Sequence, residues 1–160
     1  MHVSSMIRSV PRSFRTLPFR PGEPDRPGRA GSREGDRSEE AECCVLVVDD
    51  EPETVDAVIE LIEAEGYPTL RAQNGREALQ LLLGGARPSL IFLDLKMPTM
   101  DGWEFCRRLA EEENLADIPV AVVTASASVE RVPDRQNDAG FFVKPVNYRR
   151  LLEVVRRYCR

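Results

Sequence analysis

Five polar residues of types that can do chemistry stand at the ends of four short apolar runs. They are Asp49, Asp50, Asp94, Thr124 and Lys144. Three carboxylates brought together repel one another, and at neutral pH they need a cation or a raised pKa. Oxygen ligands suit Mg²⁺, and Mg²⁺ beside a nucleophilic aspartate is an arrangement for phosphoryl transfer. If the fold gathers these residues, we expect a phosphoryl-transfer site with a lysine and a threonine beside it.

The apolar runs before these residues indicate buried parallel strands, and amphipathic segments between them indicate helices. We expect short strands at 45–48, 69–72, 90–93, 120–123 and 141–143, each followed by a helix. Repeated β–α units predict an α/β fold, a doubly wound parallel sheet with helices on both faces. In such a fold the carboxyl ends of the strands meet at one edge, where ligands bind. The five polar residues should therefore converge there.

The chain resembles the receiver domain of response regulators, the CheY-like family, in four segments that follow the family's order. They are VLVVDDE at 45–51, LIFLDLKMPTMDG at 90–102, PVAVVTA at 119–125 and FFVKP at 141–145. The resemblance covers residues 43–160. It implies a receiver domain there, with a flavodoxin-like five-stranded sheet in the order 2-1-3-4-5.

The resemblance also implies a role for each acidic residue. Asp94 would be the phosphoacceptor. Asp50 and Asp94 would bind Mg²⁺ together with the backbone carbonyl of Lys96, while Asp49 would act mainly through water. Mg²⁺ is thus the expected cofactor.

The remaining site residues follow from the same resemblance. Thr124 would close on the phosphoryl group and Lys144 would pair with it. Phe141 matches the family's switch aromatic, which swings inward after Thr124 moves. Lys96 and Ser126 stand at positions that tune dephosphorylation in the family.

One segment departs from the family pattern. Between Thr124 and Lys144 the chain has two residues fewer than we expect, and the polar stretch 126–138 contains Pro133. Proline is costly in a helix interior. We expect the fourth helix to be short, irregular or mobile, so the output and dimer surface often built on it should not have its usual form.

Residues 1–42 are predicted to form a disordered tail. They are rich in arginine and proline and lack apolar periodicity, so they cannot bury enough apolar area to offset the entropy of ordering. Seven arginines and two acids give residues 1–33 a charge of +5, which leaves −10 on the rest of the chain. An acidic folded part disfavours direct binding of nucleic acid.

Composition excludes other classes of site. A single histidine, His2, rules out a histidine-based triad or a multi-histidine metal site. Four scattered cysteines without a CxxC pair argue against a zinc site or a disulfide scaffold and fit a reducing compartment. No apolar run approaches the roughly 18 residues of a membrane span. We therefore expect a cytoplasmic protein without membrane association.

The favoured function is a stand-alone response regulator without an output domain. A histidine kinase or histidine phosphotransfer protein would phosphorylate Asp94, and the changed surface would be recognised by a downstream protein. Such a protein catalyses only its own phosphorylation and dephosphorylation, as a monomer or a weak phosphorylation-dependent dimer. Two alternatives stay open at this point, a Mg²⁺-dependent phosphatase with an aspartate nucleophile and an inert receiver-like scaffold. Lys96 counts against the phosphatase, since such enzymes usually carry a second aspartate at that position.

Overall fold

The computed structural model describes residues 43–125 and 138–159. In this part of the chain, five parallel strands form one sheet in the order β2-β1-β3-β4-β5, which confirms the predicted topology. The strands are β1 (Val45–Val48), β2 (Thr69–Ala72), β3 (Leu90–Asp94), β4 (Val120–Thr124) and β5 (Asp138–Val143). The helices are α1 (Pro52–Ala64), α2 (Gly75–Leu83), α3 (Gly102–Glu111) and α4 (Tyr148–Tyr158).

The sheet is buried on both faces, which is why its central strands are apolar throughout. Successive side chains of a strand point to opposite faces. Leu46 and Val48 of β1 accordingly pack in a cluster with residues of α2 and α3, whereas Val45 and Val47 pack with residues of α1 and α4. The expected doubly wound arrangement, with helices on both faces, is confirmed.

Asparagine side chains cap the first turns of α2 and α4. The side chain of Asn74 accepts a hydrogen bond from the backbone N–H of Glu77 at 2.9 Å, and Asn147 accepts one from Arg150 at 3.2 Å. Pro52 occupies the first turn of α1, where its missing N–H costs nothing. Each cap sets the residue at which a loop ends and its helix begins. The cap therefore limits how far that loop extends over the edge of the sheet.

The edge strand β5 differs from the prediction. It begins at Asp138 rather than Phe141, and its register with β4 shifts between Val120 and Ala121. Its first half has one apolar residue, Ala139, and no fully buried one, because an edge strand pairs on one side only and is less buried than a central one. Apolar periodicity therefore marks only the second half of β5.

Two cysteines that the sequence gave no reason to pair are joined. Cys43, just before β1, forms a disulfide with Cys159, just after α4, across 116 residues. The sequence argued against a disulfide scaffold and did not predict this single bond. Packing of α4 beside the sheet brings the two residues together, and no local pattern reports that contact.

Several predictions lie outside the described residues, namely the disordered tail 1–42, the irregular fourth helix and Ser126. The domain boundary at residue 43 likewise stays a prediction. Among the described helices, none is long and apolar enough to cross a membrane.

Candidate functional site

Three carboxylates meet at the carboxyl edge of the two central strands. Asp49 and Asp50 directly follow β1, and Asp94 is the last residue of the neighbouring strand β3. Asp49 and Asp94 are buried while Asp50 is exposed. One ligand oxygen from each lies within 4.8 Å of the others. The cluster is thus compact, with one side open to solvent.

Among the described residues, one ammonium group reaches into this cluster, that of Lys144 directly after β5. Lys144 Nζ lies 2.7 Å from Asp49 Oδ2, 3.8 Å from Asp94 Oδ2 and 3.8 Å from Glu51 Oε2. The backbone N–H of Lys144 donates to the carbonyl of Thr124 at 2.8 Å, which anchors the lysine at the end of β4. The predicted lysine therefore joins the cluster, together with Glu51, to which the sequence assigned no role in the site.

The electrostatics of the cluster make its anionic charge costly. Burial raises the pKa of Asp94, and repulsion from Asp49 adds to the rise, while the Lys144 ammonium and the Lys96 N–H oppose it. Burial alone would lower the pKa of Lys144, but its hydrogen bond to Asp49 and the surrounding carboxylates raise it overall. The lysine is therefore held as a cation, and one cation does not compensate all the carboxylates.

The loop after β3 holds the Asp94 carboxyl group from the backbone. The Lys96 N–H donates to Asp94 Oδ1 at 3.4 Å, and the Gly102 N–H donates to the carbonyl of Leu95 at 3.0 Å. Gly102 packs so closely that a Cβ there would lie 2.5 Å from the carbonyl oxygen of Asp94. The DG pair, Asp101 and Gly102, thus both caps α3 and lets that helix approach the end of β3.

Thr124 and Phe141 occupy the strands beside the cluster. Thr124 is the last residue of β4 and is fully buried. Phe141 lies on β5, opposite Val122 in register, and packs partly buried against the cluster under α2 and α3. Both lie on the strands that follow β3 toward the β5 edge of the sheet.

A shallow cleft opens beside the exposed side of the acidic cluster. Its lining includes Asp50, Lys96, Met97 and Trp103. The Lys96 side chain is exposed, and Trp103, to which the sequence assigned no role, is 36% exposed. An incoming group can therefore approach the cluster from the cleft.

Comparison with known proteins agrees with this architecture. Residues 45–156 match the family model of the response regulator receiver domain. A curated relative, the polar-differentiation response regulator DivK of Brucella anthropi, is 36% identical over 118 residues, which are 71% of this chain and 94% of the relative.

Solved structures give the same result. A response regulator receiver protein from Pseudomonas putida matches with a TM-score of 0.67 and 30% identity, covering 73% of this chain and 98% of that one. The chemotaxis protein CheY4 of Vibrio cholerae matches with a TM-score of 0.64 and 31% identity, covering 74% and 99%. The chain belongs to the family of response regulator receiver domains, the signalling modules of two-component systems.

Proposed function

We propose that this receiver accepts a phosphoryl group on Asp94 from a histidine kinase or a histidine phosphotransfer protein, with Mg²⁺, and that phosphorylation changes its binding to a downstream protein. One observation carries the proposal: the Asp49, Asp50 and Asp94 oxygens lie within 4.8 Å of one another, with Lys144 Nζ in reach of two of them. This grouping combines a nucleophile, a cation site and a fixed positive charge.

The donor set fits Mg²⁺, because it consists of hard oxygen ligands whose negative charge exceeds that of the one ammonium nearby. Asp49, Asp50, Asp94 and the backbone carbonyl of Lys96 would hold the ion. When bound, the ion would neutralise charge on the phosphoryl oxygens.

The chain's own residues supply the rest of the chemistry. A carboxylate oxygen of Asp94 attacks phosphorus, so that a C–O–P linkage forms while the N–P bond of the donor phosphohistidine breaks and its electron pair stays on the imidazole. Lys144, 3.8 Å from Asp94 Oδ2 before the reaction, is near enough to pair with the new phosphoryl group after a small movement. Burial of Asp94 limits the access of water that would hydrolyse the acyl phosphate.

The change in partner binding would begin at Thr124. Its hydroxyl closes on the phosphoryl group, and Phe141 on the next strand moves inward in response. Lys96 and Ser126, two residues after Asp94 and Thr124, would tune dephosphorylation. A phosphoryl transfer of this kind requires no catalytic turnover of an external substrate. The protein is therefore not expected to be an enzyme in the usual sense.

The test is phosphorylation of the purified chain with a small phosphodonor such as acetyl phosphate, followed by intact-mass spectrometry. We expect one Mg²⁺-dependent, hydroxylamine-labile phosphoryl group on the wild type and none on Asp94→Asn. Asp56→Asn, at an exposed acid of α1, is the matched control and should label normally. Equal labelling of Asp94→Asn, or no labelling of the folded wild type, would refute the proposal.

The same assay separates the alternatives. A phosphatase would release phosphate over many turnovers from small esters, and an inert scaffold would stay unlabelled with every donor. The cytoplasmic location, the lack of direct nucleic-acid binding and the monomeric or weakly dimeric state stay predictions from the sequence.

A further inference from the structure

We propose that Cys43 and Cys159 form a reversible thiol–disulfide clasp, through which the redox state of the surroundings sets the stability of the folded domain. This inference does not rest on the phosphorylation proposed above. The two Cα atoms lie 5.1 Å apart, within the usual range for a disulfide. Cys159 is buried in the apolar cluster between the sheet and helices α1 and α4, and Cys43 packs against that cluster while partly exposed.

The clasp joins the two ends of the described domain. Cys43 lies two residues before β1, and Cys159 directly follows α4, where its N–H donates to the carbonyl of Val155 at 2.8 Å. At the opposite end of β1 and α4, the ion pair between Asp49 and Lys144 already connects these regions of the chain. The disulfide therefore connects the β1 and α4 regions at the end opposite the acidic cluster.

The stabilising effect arises mainly in the unfolded chain. A bond between residues 116 apart closes a loop that contains all five strands, and closing so long a loop removes much of the conformational entropy of the unfolded state. Packing of the folded domain already places the two Cα atoms 5.1 Å apart. Oxidation should therefore raise the stability without moving the acidic cluster.

Exchange with a low-molecular-weight disulfide gives a balanced route to the bond. The Cys43 thiolate attacks the small disulfide and releases one small thiol, and Cys159 then attacks the mixed disulfide and releases a second. The protein loses two thiol hydrogens and two electrons, and the small disulfide gains them. Cys43 is the entry point because it is the more exposed of the two residues.

Cys44, next to Cys43 in the sequence, competes poorly for the bond to Cys159. Cys44 is fully buried, and burial raises the pKa of its thiol to about 11. Little reactive thiolate therefore exists at Cys44 at neutral pH. Cys106, also buried, lies on the other face of the sheet.

The experiment compares the full 160-residue chain after treatment with oxidised glutathione and after treatment with a phosphine reductant. We expect denatured oxidised protein to take up two maleimides, reduced protein four, and peptide mapping to recover Cys43 linked to Cys159. Oxidation should raise the thermal midpoint on the order of 10 °C. Phosphorylation of Asp94 should proceed in both states, so a failure here is distinct from a failure of the proposed function.

Variants make the assignment specific. Cys43→Ser, at the partly exposed position, should fold and abolish the redox-dependent shift, while Cys44→Ala should retain it. Because Cys159→Ser alters a buried site, the comparison of oxidised with reduced wild type is the primary measurement. Four reactive thiols after oxidation, a bond through Cys44, or equal midpoints in the two states would overturn the inference.

Discussion

The Lys144 ammonium lies 2.7 Å from Asp49 Oδ2 but 3.8 Å from Asp94 Oδ2. The ammonium is therefore hydrogen-bonded to Asp49, a proposed metal ligand, rather than to the proposed acceptor. The ammonium offsets part of the negative charge of the cluster and lies close enough to both carboxylates to change partners.

Replacing Lys144 by methionine should destabilise the domain in the absence of divalent cations. The variant leaves buried carboxylates without their cation, and we expect a loss of about 1–3 kcal/mol in the free energy of unfolding. Added Mg²⁺ should restore more stability to this variant than it adds to the wild type. Urea unfolding with EDTA and with Mg²⁺ measures both effects.

The only other lysine of the chain provides the control for that variant. Lys96 has an exposed side chain, so Lys96→Met should change the free energy of unfolding by no more than about 0.5 kcal/mol. If the two variants lose the same stability, Lys144 does not compensate the cluster.

Asp94→Asn should stabilise the metal-free protein at neutral pH, by about 1 kcal/mol. The folded-state pKa of Asp94 is raised above its unfolded value, so its contribution to stability is present below the unfolded pKa and is lost as pH rises through the folded pKa. Asparagine carries no such charge, and its advantage should disappear in acid. Urea unfolding in EDTA, measured from acid to neutral pH, tests the sign of this stability difference. A wild type more stable than the variant at neutral pH would contradict the prediction.

Gly102→Ala should damage both the fold and the acceptor position. The added Cβ would lie 2.5 Å from the carbonyl oxygen of Asp94 and 2.8 Å from Leu95 Cα, both backbone atoms that cannot move alone. We expect a loss of about 1–3 kcal/mol and slower labelling by acetyl phosphate.

Gly66→Ala separates these two effects. Gly66 has φ +90° with no atom within 4 Å of an added Cβ, so alanine there costs about 1 kcal/mol of backbone strain far from the site. Its labelling rate should match that of the wild type, and a Gly102→Ala variant that also labels at the wild-type rate would exclude the proposed positioning of Asp94.

Thr99→Asn should stabilise the loop after β3. Thr99 has φ 70°, a left-handed conformation that a β-branched side chain adopts only with strain, whereas asparagine tolerates it. We expect a gain of about 1 kcal/mol in thermal or urea unfolding. Thr99→Val keeps the branch and should show no gain, so an equal gain in both variants would place the effect elsewhere than in the backbone.

Local sequence determines much of this protein because a strand buried on both faces must be apolar along its length. The runs before Asp49, Asp94 and Thr124 therefore identify three strands, and the polar residue after each run marks the end of the strand at the sheet edge. Helix caps such as Asn74 are equally local, since side chain and partner lie three residues apart. The edge strand β5 is the exception, because its first half has one apolar residue, Ala139, and no fully buried one.

Contacts between distant segments were decided by the tertiary structure alone. The hydrogen bond from Lys144 to Asp49 joins residues 95 apart, and the disulfide joins residues 116 apart. The disulfide depends on how α4 packs on the sheet. The hydrogen bond depends on which of several nearby carboxylates the Lys144 ammonium reaches. Residue order determined which groups arrive at the sheet edge, whereas distances of a few ångströms, set by packing, determined which of them bind one another.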